Sequence, residues 1–531
     1  MPVNVREGDR DQLWLMPPSV AEWLPEGHLA WFVLEMVKEL DLSEFYASYR
    51  ADGRGGATYS PEAMLAVLLY AYCTGERSSR RIERRCVEDV AYRVLAANQH
   101  PDHATLARFR RRHEQAISDL FAQVLGLCVR AGLVDAGLVA IDGTKMAADV
   151  SYTANRTKKQ LAEEILKEAE QVDAEEDERF GDKRGDELPE AWASPTGRRE
   201  RIREAFRQLE AEAPRDYESK AEARAAKELE LGHKLQGRAP NPSSRRSKKR
   251  PLAINVTDPD SREMWSTDKR IIQGYNAQAA ATAEQILVAA EVTNAVSDSV
   301  NFLPIAQATK DTLEKAGAEP AQNIVADAGY WSTANATADV GGANLLIKLN
   351  KRGIFNPRRP TSEKRRQVFE EVRAGRLTRR QGAEELGVSH RYFGQAYVNY
   401  LNDPEPNAVA DPHQRQGVIE RVTRGEITIR EASRELGLPY AKVQKLLDRH
   451  RRGLPDPTLA LLEMEAKLMK LENDALLRKR QTAIEPVFGN IKSNRGYRRF
   501  ARRGLTAVQS EWRLICATHN VLKLWKVSIA G

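Results

Sequence analysis

Three acidic residues occupy positions where carboxylates are suited to holding metal ions. Asp142 ends a short apolar run that starts at Leu138, and Asp327 ends a second run that starts at Asn323. Glu485 opens a segment whose apolar residues recur at helical spacing. Cleaving a phosphodiester requires an activated water or hydroxyl and a stabilised leaving oxygen, and two Mg²⁺ ions held by carboxylates supply both. If the two apolar runs are neighbouring strands, Asp142 and Asp327 can share a metal that Glu485 completes.

Residue type alone leaves alternatives open for this set. An aspartate at a strand end more often caps a turn than binds a metal, and Asp149, Asp258 and Asp260 are equally eligible carboxylates. Glu485 has the best local support because Lys492 follows it by seven residues. That spacing places both residues on nearly the same side of a helix, two turns apart, where the lysine can contact a phosphate.

The length and composition of the chain predict a globular protein of several domains. The chain has 531 residues, of which 41% are hydrophobic and 30% charged. Its longest apolar run, Ala63–Cys73, is shorter than the roughly 20 residues of a membrane span, and its first residues lack the apolar segment of a secretory signal. Four scattered cysteines disfavour a disulfide framework and exclude a zinc ribbon, so the sequence predicts a cytoplasmic protein.

Positive charge is concentrated in a few clusters. The net charge is +7, and basic residues crowd positions 108–112, 245–250 and 495–503, a pattern typical of phosphate contact. Tyr497 and Phe500 lie among the last arginines, where stacking on a base and packing in the core are both open. We predict phosphate contacts from these basic residues: Arg108, Arg110, Lys492, Arg495, Arg498, Arg499, Arg502 and Arg503.

Periodicity predicts a multidomain α/β protein with two all-α parts. Residues 1–135 are predicted helical; their polar and basic helix at 102–110 indicates either a DNA-binding helix-turn-helix or a plain helical bundle. Residues 136–354 alternate strands and helices around a charged helical insert, 157–250. Residues 355–453 form an all-helical insertion, and 454–531 return to the α/β domain with the Glu485 helix.

The insertion contains an internal repeat. Gly375–Gly387 matches Gly425–Gly437 at an offset of 50 residues. Each copy has an upstream helix, a threonine-capped helix beginning after Thr378 or Thr428, a glycine turn and a last helix, which is the helix-turn-helix layout. A helical spacer that touches no DNA remains the alternative. The predicted DNA contacts are Ser389, Arg391 and Gln395 in the first copy, and Lys442, Gln444 and Lys445 in the second.

Three segments resemble those that carry the catalytic acids of the DDE transposases of bacterial insertion sequences. They are Val139–Lys145, Val325–Ser332, and Glu485–Lys492 with the following Arg495–Gly504. Thr257–Arg262 and Gly274–Gln278 match intervening strands of that family, and residues 57–113 resemble its N-terminal helical domain. The resemblance covers most of the chain outside residues 355–453.

This resemblance implies an RNase H-like catalytic domain, a mixed sheet flanked by helices, with Asp142, Asp327 and Glu485 as metal ligands. It implies two Mg²⁺ ions, replaceable by Mn²⁺, and double-stranded DNA partners: the ends of a mobile element and a target. A homodimer is expected, because two ends must be brought together.

The sequence departs from the family pattern before the glutamate. Related families place a tyrosine and an arginine at positions that are Arg478 and Gln481 here. Arg480 is the nearest basic substitute and is predicted to contact DNA. Two other hypotheses compete with a transposase: a helix-turn-helix regulator without nuclease activity, which gives the three acids no role, and a degenerate inactive copy.

Overall fold

A computed structural model of the chain describes ten main ranges, with isolated residues between some of them. The ranges are 22–49, 58–151, 154–157, 200–208, 253–266, 270–349, 362–386, 412–438, 440–454 and 471–529. Among the helices in these ranges, none combines the length and the apolar character that a membrane crossing requires.

Seven helices make up the first part of the chain, as its periodicity predicts. Side-chain caps explain where several begin: Ser60 accepts from the Glu62 amide at 3.2 Å, and Asp102 from the Thr105 amide at 2.8 Å. The helices are α1 (Leu29–Lys38), α2 (Ser43–Ala47), α3 (Pro61–Cys73), α4 (Ser79–Glu88), α5 (Val90–Leu95), α6 (His103–Arg112) and α7 (Glu114–Arg130).

Six strands form one mixed sheet, and two more form a separate pair. In the mixed sheet, β1 (Val139–Ala147) pairs antiparallel with β5 (Ile271–Thr282), whose other edge carries β4 (Arg262–Trp265) and β6 (Leu287–Thr293). On its second side β1 pairs parallel with β7 (Asn323–Ala326), which pairs parallel with β8 (Asn344–Ile347). The separate pair is β2 (Asn155–Thr157) with β3 (Ala253–Asn255).

Among the helices whose bounds the structure describes, four complete this α/β part: α8 (Phe302–Lys315), α9 (Thr333–Thr337), and two later ones that enter the same core. Of these, α15 (Leu471–Gly489) packs on β1, and α16 (Leu505–Ser528) packs on α3, α7 and β6. One continuous hydrophobic core therefore joins the sheet to the N-terminal helices.

A glycine allows the N-terminal helices to approach the segment that follows α15. Gly75, just after α3, has φ +83°, and a Cβ there would lie 2.5 Å from the Arg495 carbonyl oxygen. A side chain at this position would therefore be strained and would also collide with backbone.

The repeat folds into two matching helical units. The first contains α10 (Ser362–Arg373) and α11 (Arg379–Glu385); the second contains α12 (Pro412–Thr423), α13 (Ile429–Glu435) and α14 (Tyr440–Arg451). The predicted caps are confirmed: Thr378 with Gln381, and Thr428 with Glu431, form reciprocal capping boxes. Each unit has a small hydrophobic core of its own.

Two sequence-based boundaries require correction. Asp142 does not end its strand, because β1 continues to Ala147 along the long β5 partner. Residues 257–261 are not a strand; they form a buried turn in which the Asn255 side chain accepts from the Thr257 and Asp258 amides, and β4 begins only at Arg262. Most of the predicted helical insert 157–250 lies outside the described residues.

Candidate active site

The sheet brings two of the predicted acids together. The parallel register of β1 and β7 pairs Val139 with Ile324 and Ile141 with Ala326. Asp142 and Asp327 each come one residue after that last pair, so they are neighbours across adjacent strands. The expectation that the two apolar runs adjoin is confirmed.

Arg480 links the third acid to this pair. The guanidinium of Arg480, on α15, donates to Asp142 Oδ2 at 2.9 Å and lies 3.6 Å from Glu485 Oε1. The side chains of Arg480 and Asp142 are 10% and 20% exposed, whereas that of Glu485 is 52% exposed. Arg480 was predicted to contact DNA, but here its guanidinium bridges two of the three acids.

Burial and a neighbouring charge act on Asp142 together. Burial raises the pKa of Asp142, and the nearby Asp327 carboxylate raises it further; the Arg480 guanidinium and the Gly143 amide, which donates to Asp142 Oδ1 at 2.8 Å, oppose the shift. Partly desolvated carboxylates that repel one another favour a cation beside them.

The three carboxylates suit a divalent cation in the type of their donor atoms. Asp142, Asp327 and Glu485 offer hard carboxylate oxygens, the ligands that Mg²⁺ prefers. Within the described ranges, no three Asp, Glu, His or Cys side chains converge closely enough to hold an ion. The residues thus fit the cation in donor chemistry, and the Arg480 guanidinium lies between Asp142 and Glu485.

A fourth acid, Asp298, was not predicted. Its Oδ1 accepts from Lys145 Nζ at 2.7 Å and from Asn276 Nδ2 at 2.8 Å. Gln278 Nε2 lies 3.3 Å from the same oxygen, and the Tyr330 hydroxyl donates to Gln278 Oε1. The signal in the sequence was a pair of polar residues, Asn276 and Gln278, two positions apart in the buried part of β5.

Tyr330 connects this network with the paired aspartates. Burial raises the pKa of the Tyr330 hydroxyl, and the carboxylates of Asp298, Asp142 and Asp327 raise it further in that order. The hydroxyl therefore stays protonated next to three acids, where it can donate a hydrogen bond.

Lys492 reaches the same region by a different route from the predicted one. The α-helix ends at Gly489, and Asn490–Asn494 form a π-helical turn that changes the angular spacing after Glu485. Lys492 Nζ donates to the Lys145 carbonyl at 3.1 Å. The lysine thus contacts the β1 backbone at Lys145, three residues beyond Asp142.

Four arginines that were predicted to contact phosphates are buried instead. Arg495 donates to the Tyr72 carbonyl at 2.8 Å and the Ile515 carbonyl at 3.1 Å, and the other three likewise bond to protein groups. A guanidinium held in this way cannot contact DNA without breaking those bonds. The four buried arginines are Arg110, Arg495, Arg502 and Arg503.

Two of the predicted contacts, Arg108 and Arg498, are exposed. Arg499 is half-buried beside Asp149, with 3.7 Å between Nη1 and Oδ1. Tyr497 and Phe500 are 1% and 0% exposed, so they pack in the core and are not available to stack on a base.

The competing carboxylates have structural partners. Asp258 accepts from the Tyr275 hydroxyl at 2.7 and 2.8 Å and from the Gly504 amide at 3.3 Å. Asp260 accepts from the Leu505 amide at 2.9 Å. These two acids therefore cap the start of α16, where their oxygens accept from backbone amides that have no partner within the helix.

Asp258 is expected to make stability depend on pH. Burial, and then the Asp260 charge, raise the pKa of Asp258 from 3.8 to about 7. The folded chain thus keeps a proton that the unfolded chain releases above pH 4, so this contribution to stability is full below pH 4 and is lost as the pH rises to about 7. The stability advantage of the wild type over Asp258→Asn should shrink between pH 4.5 and 7.5 by a few kcal/mol, on the order of 1.4 kcal/mol per pKa unit.

Urea unfolding of both proteins at the two pH values measures this difference. A constant advantage would show that Asp258 is not protonated in the folded chain at low pH.

Two of the DNA contacts predicted in the repeat, Gln444 and Lys445, belong to the described residues. Lys445 on α14 is exposed, and Gln444 Nε2 donates to Asp448 Oδ1 at 3.0 Å. Lys442 belongs to α14, and its side chain lies outside the described residues. Ser389, Arg391 and Gln395 of the first copy also lie outside them.

Comparison with known families gives two matches. A family model described as a transposase domain (DUF772) matches residues 18–112, the region of α1 to α6. A second, described as a transposase DDE domain, matches residues 452–525, which contain Arg480, Glu485 and Lys492. No curated protein and no solved structure matches the chain. Transposase models therefore match two separate parts of the chain, and together they support its assignment to the insertion-sequence DDE transposases.

Proposed function

We propose that this transposase binds the ends of its own mobile element, cuts the DNA strand there and joins the freed 3′-hydroxyl to target DNA. The observation that carries the proposal is the meeting of Asp142 and Asp327 on adjacent parallel strands, with Arg480 joining Asp142 to Glu485. Arg480 and Glu485 belong to the segment that the DDE model matches.

The three carboxylates are proposed to hold two Mg²⁺ ions, for which Mn²⁺ can substitute. Bound there, divalent ions favour a deprotonated nucleophile and stabilise the charge on the leaving oxygen. In the cutting step, water attacks phosphorus, the bond from phosphorus to the 3′-oxygen breaks, and that oxygen takes a proton. In the joining step, the freed 3′-hydroxyl attacks a target phosphorus and loses its proton, and a second 3′-oxygen leaves.

The residues around the acids orient the DNA and the ligands. Lys492 donates to the Lys145 carbonyl of β1 and is proposed to contact the phosphate under attack. Exposed Arg498 and Arg108 are proposed to contact flanking phosphates, a kind of contact that positions DNA without reading its sequence. Lys145, Asn276 and Gln278 hold Asp298 and Tyr330 in place behind the acids.

The fold and assembly remain part of the proposal. The mixed sheet, with β1 between an antiparallel and a parallel neighbour, supports the RNase H-like domain that the family resemblance implies. We propose that the chain is divided into the domains predicted from its sequence, with residues 355–453 inserted between Asp327 and Glu485. A homodimer would hold two element ends together. A DNA-binding regulator is not favoured, because it gives the DDE match no role.

Cleavage of the flanking DNA tests the proposal. The purified chain is incubated with labelled duplexes that carry the DNA on either side of its gene, and with scrambled duplexes of the same length. We expect strand cuts that leave a 3′-hydroxyl in Mg²⁺ or Mn²⁺, none in EDTA, and none on the scrambled control. Binding of the flanking duplexes with no cutting in either metal would contradict the proposed activity.

A further inference from the structure

The two repeat copies share a core but not a surface. Leu386 and Leu436, fifty residues apart, are both buried, as are Phe393 and Val443. The corresponding helices α11 and α13 begin with the same capping box. Differences between the copies on the outside are therefore differences in what each presents to a partner.

The second copy presents a basic concave surface. Arg430, Ser433 and Arg434 on α13 and Tyr440 at the start of α14 line one pocket, here called the Arg430 surface. Both arginines are exposed and one helical turn apart, and Tyr440 is 51% exposed. Within the described ranges, neither arginine forms an ion pair with an acid. The Ser433 hydroxyl donates to the Leu438 carbonyl, which fixes the turn between the two helices.

In the first copy, an acid neutralises the positive charge at the corresponding positions. Its residues at the positions of Arg430 and Arg434 are Arg380 and Glu384, and Arg380 Nε lies 3.4 Å from Glu384 Oε1. The last segment of the second copy also carries more positive charge than that of the first. Residues 390–401 contain one arginine, Arg391, and no lysine, whereas residues 440–451 contain Lys442, Lys445, Arg449 and Arg451.

We infer that the second copy, through the Arg430 surface, docks on the phosphate backbone of duplex DNA, and that the first copy does not. Paired guanidinium groups with a tyrosine hydroxyl beside them are side chains that commonly contact DNA phosphates. Lys445, exposed on the next helix, extends the positive charge along α14. The choice of DNA as the partner rests on the proposed function. The difference in charge between the two copies is independent of that function.

Exchanging the repeat-equivalent residues tests the inference. Binding of the full chain to a 30-base-pair mixed-sequence duplex is followed by fluorescence anisotropy in EDTA, between 50 and 200 mM KCl. We compare Arg430→Ala with Arg380→Ala, and Arg434→Glu with Glu384→Arg. Each phosphate contact contributes about 0.9 to the slope of log affinity against log salt. Arg430→Ala should lower that slope by about one and weaken binding roughly fivefold to tenfold at 100 mM KCl.

Arg380→Ala, which removes the same charge from the first copy, should leave slope and affinity unchanged. Arg434→Glu should weaken binding further, whereas Glu384→Arg, which gives the first copy the arginine pair of the second, should raise the slope. Equal losses from Arg430→Ala and Arg380→Ala, or no loss from Arg430→Ala, would overturn the inference. EDTA prevents cutting, so these results are independent of whether the enzyme cleaves element ends.

Discussion

Replacing Asp142 by Asn is expected to abolish Mg²⁺-dependent cutting of the flanking duplex while leaving its binding intact. The amide has the shape of the carboxylate but lacks the charge that holds a divalent cation. Loss of a metal ligand removes several kcal/mol of transition-state stabilisation, and about 4 kcal/mol equals roughly a thousandfold loss of rate. Asp327→Asn and Glu485→Gln should have the same effect.

The matched control is Asp311→Asn on α8, an exposed aspartate that accepts from Gln307 on the same helix at 2.8 Å. This variant should cut at the wild-type rate. Anisotropy in EDTA gives the binding affinity, and gel analysis of labelled duplex gives the rate in Mg²⁺. Undiminished cutting by a variant of any of the three acids would remove that residue from the proposed site.

Arg480→Met is expected to cost about 3 kcal/mol of unfolding free energy, the scale for breaking a buried ion pair. The substitution leaves Asp142, 20% exposed, without the guanidinium that donates to it at 2.9 Å. The double variant Arg480→Met with Asp142→Asn should recover at least half of that loss, because its amide no longer needs a counter-charge. Urea unfolding of the two single variants and the double variant measures this coupling.

Lys479→Met provides the control on the same helix. Lys479 is exposed one residue before Arg480, so its replacement should change stability by less than about 0.5 kcal/mol. If the losses from Arg480→Met and Asp142→Asn simply add in the double variant, the two side chains do not interact in solution.

Strand pairing was the part of the site that sequence patterns predicted best. Two apolar runs that each lead into an aspartate indicate strands, and the parallel register of β1 and β7 places both acids side by side. The threonine caps of the repeat were predictable for a similar reason, because a capping box lies within four consecutive residues. In both cases the signal is local.

The roles of arginines could not be predicted in this way. Arg495 belongs to a basic cluster that indicates phosphate contact, yet its guanidinium is buried against carbonyls of residues far away in the chain. Sequence composition does not distinguish an arginine that contacts solvent from one that satisfies buried carbonyls. The bridge from Arg480 to Asp142 joins residues 338 positions apart, and Asp298 becomes part of the site through Lys145 on β1 and Asn276 on β5.

Iron-directed cleavage of the protein tests most directly whether the three acids hold one metal centre. Fe²⁺ replaces Mg²⁺ at carboxylate sites and, with ascorbate and peroxide, generates radicals that cut the polypeptide nearby. We predict cuts close to Asp142, Asp327 and Glu485 in the full chain, suppressed by excess Mg²⁺ and lost together in Asp142→Asn. Cuts at only one of these segments, or a pattern that Asp142→Asn leaves unchanged, would contradict a shared metal centre.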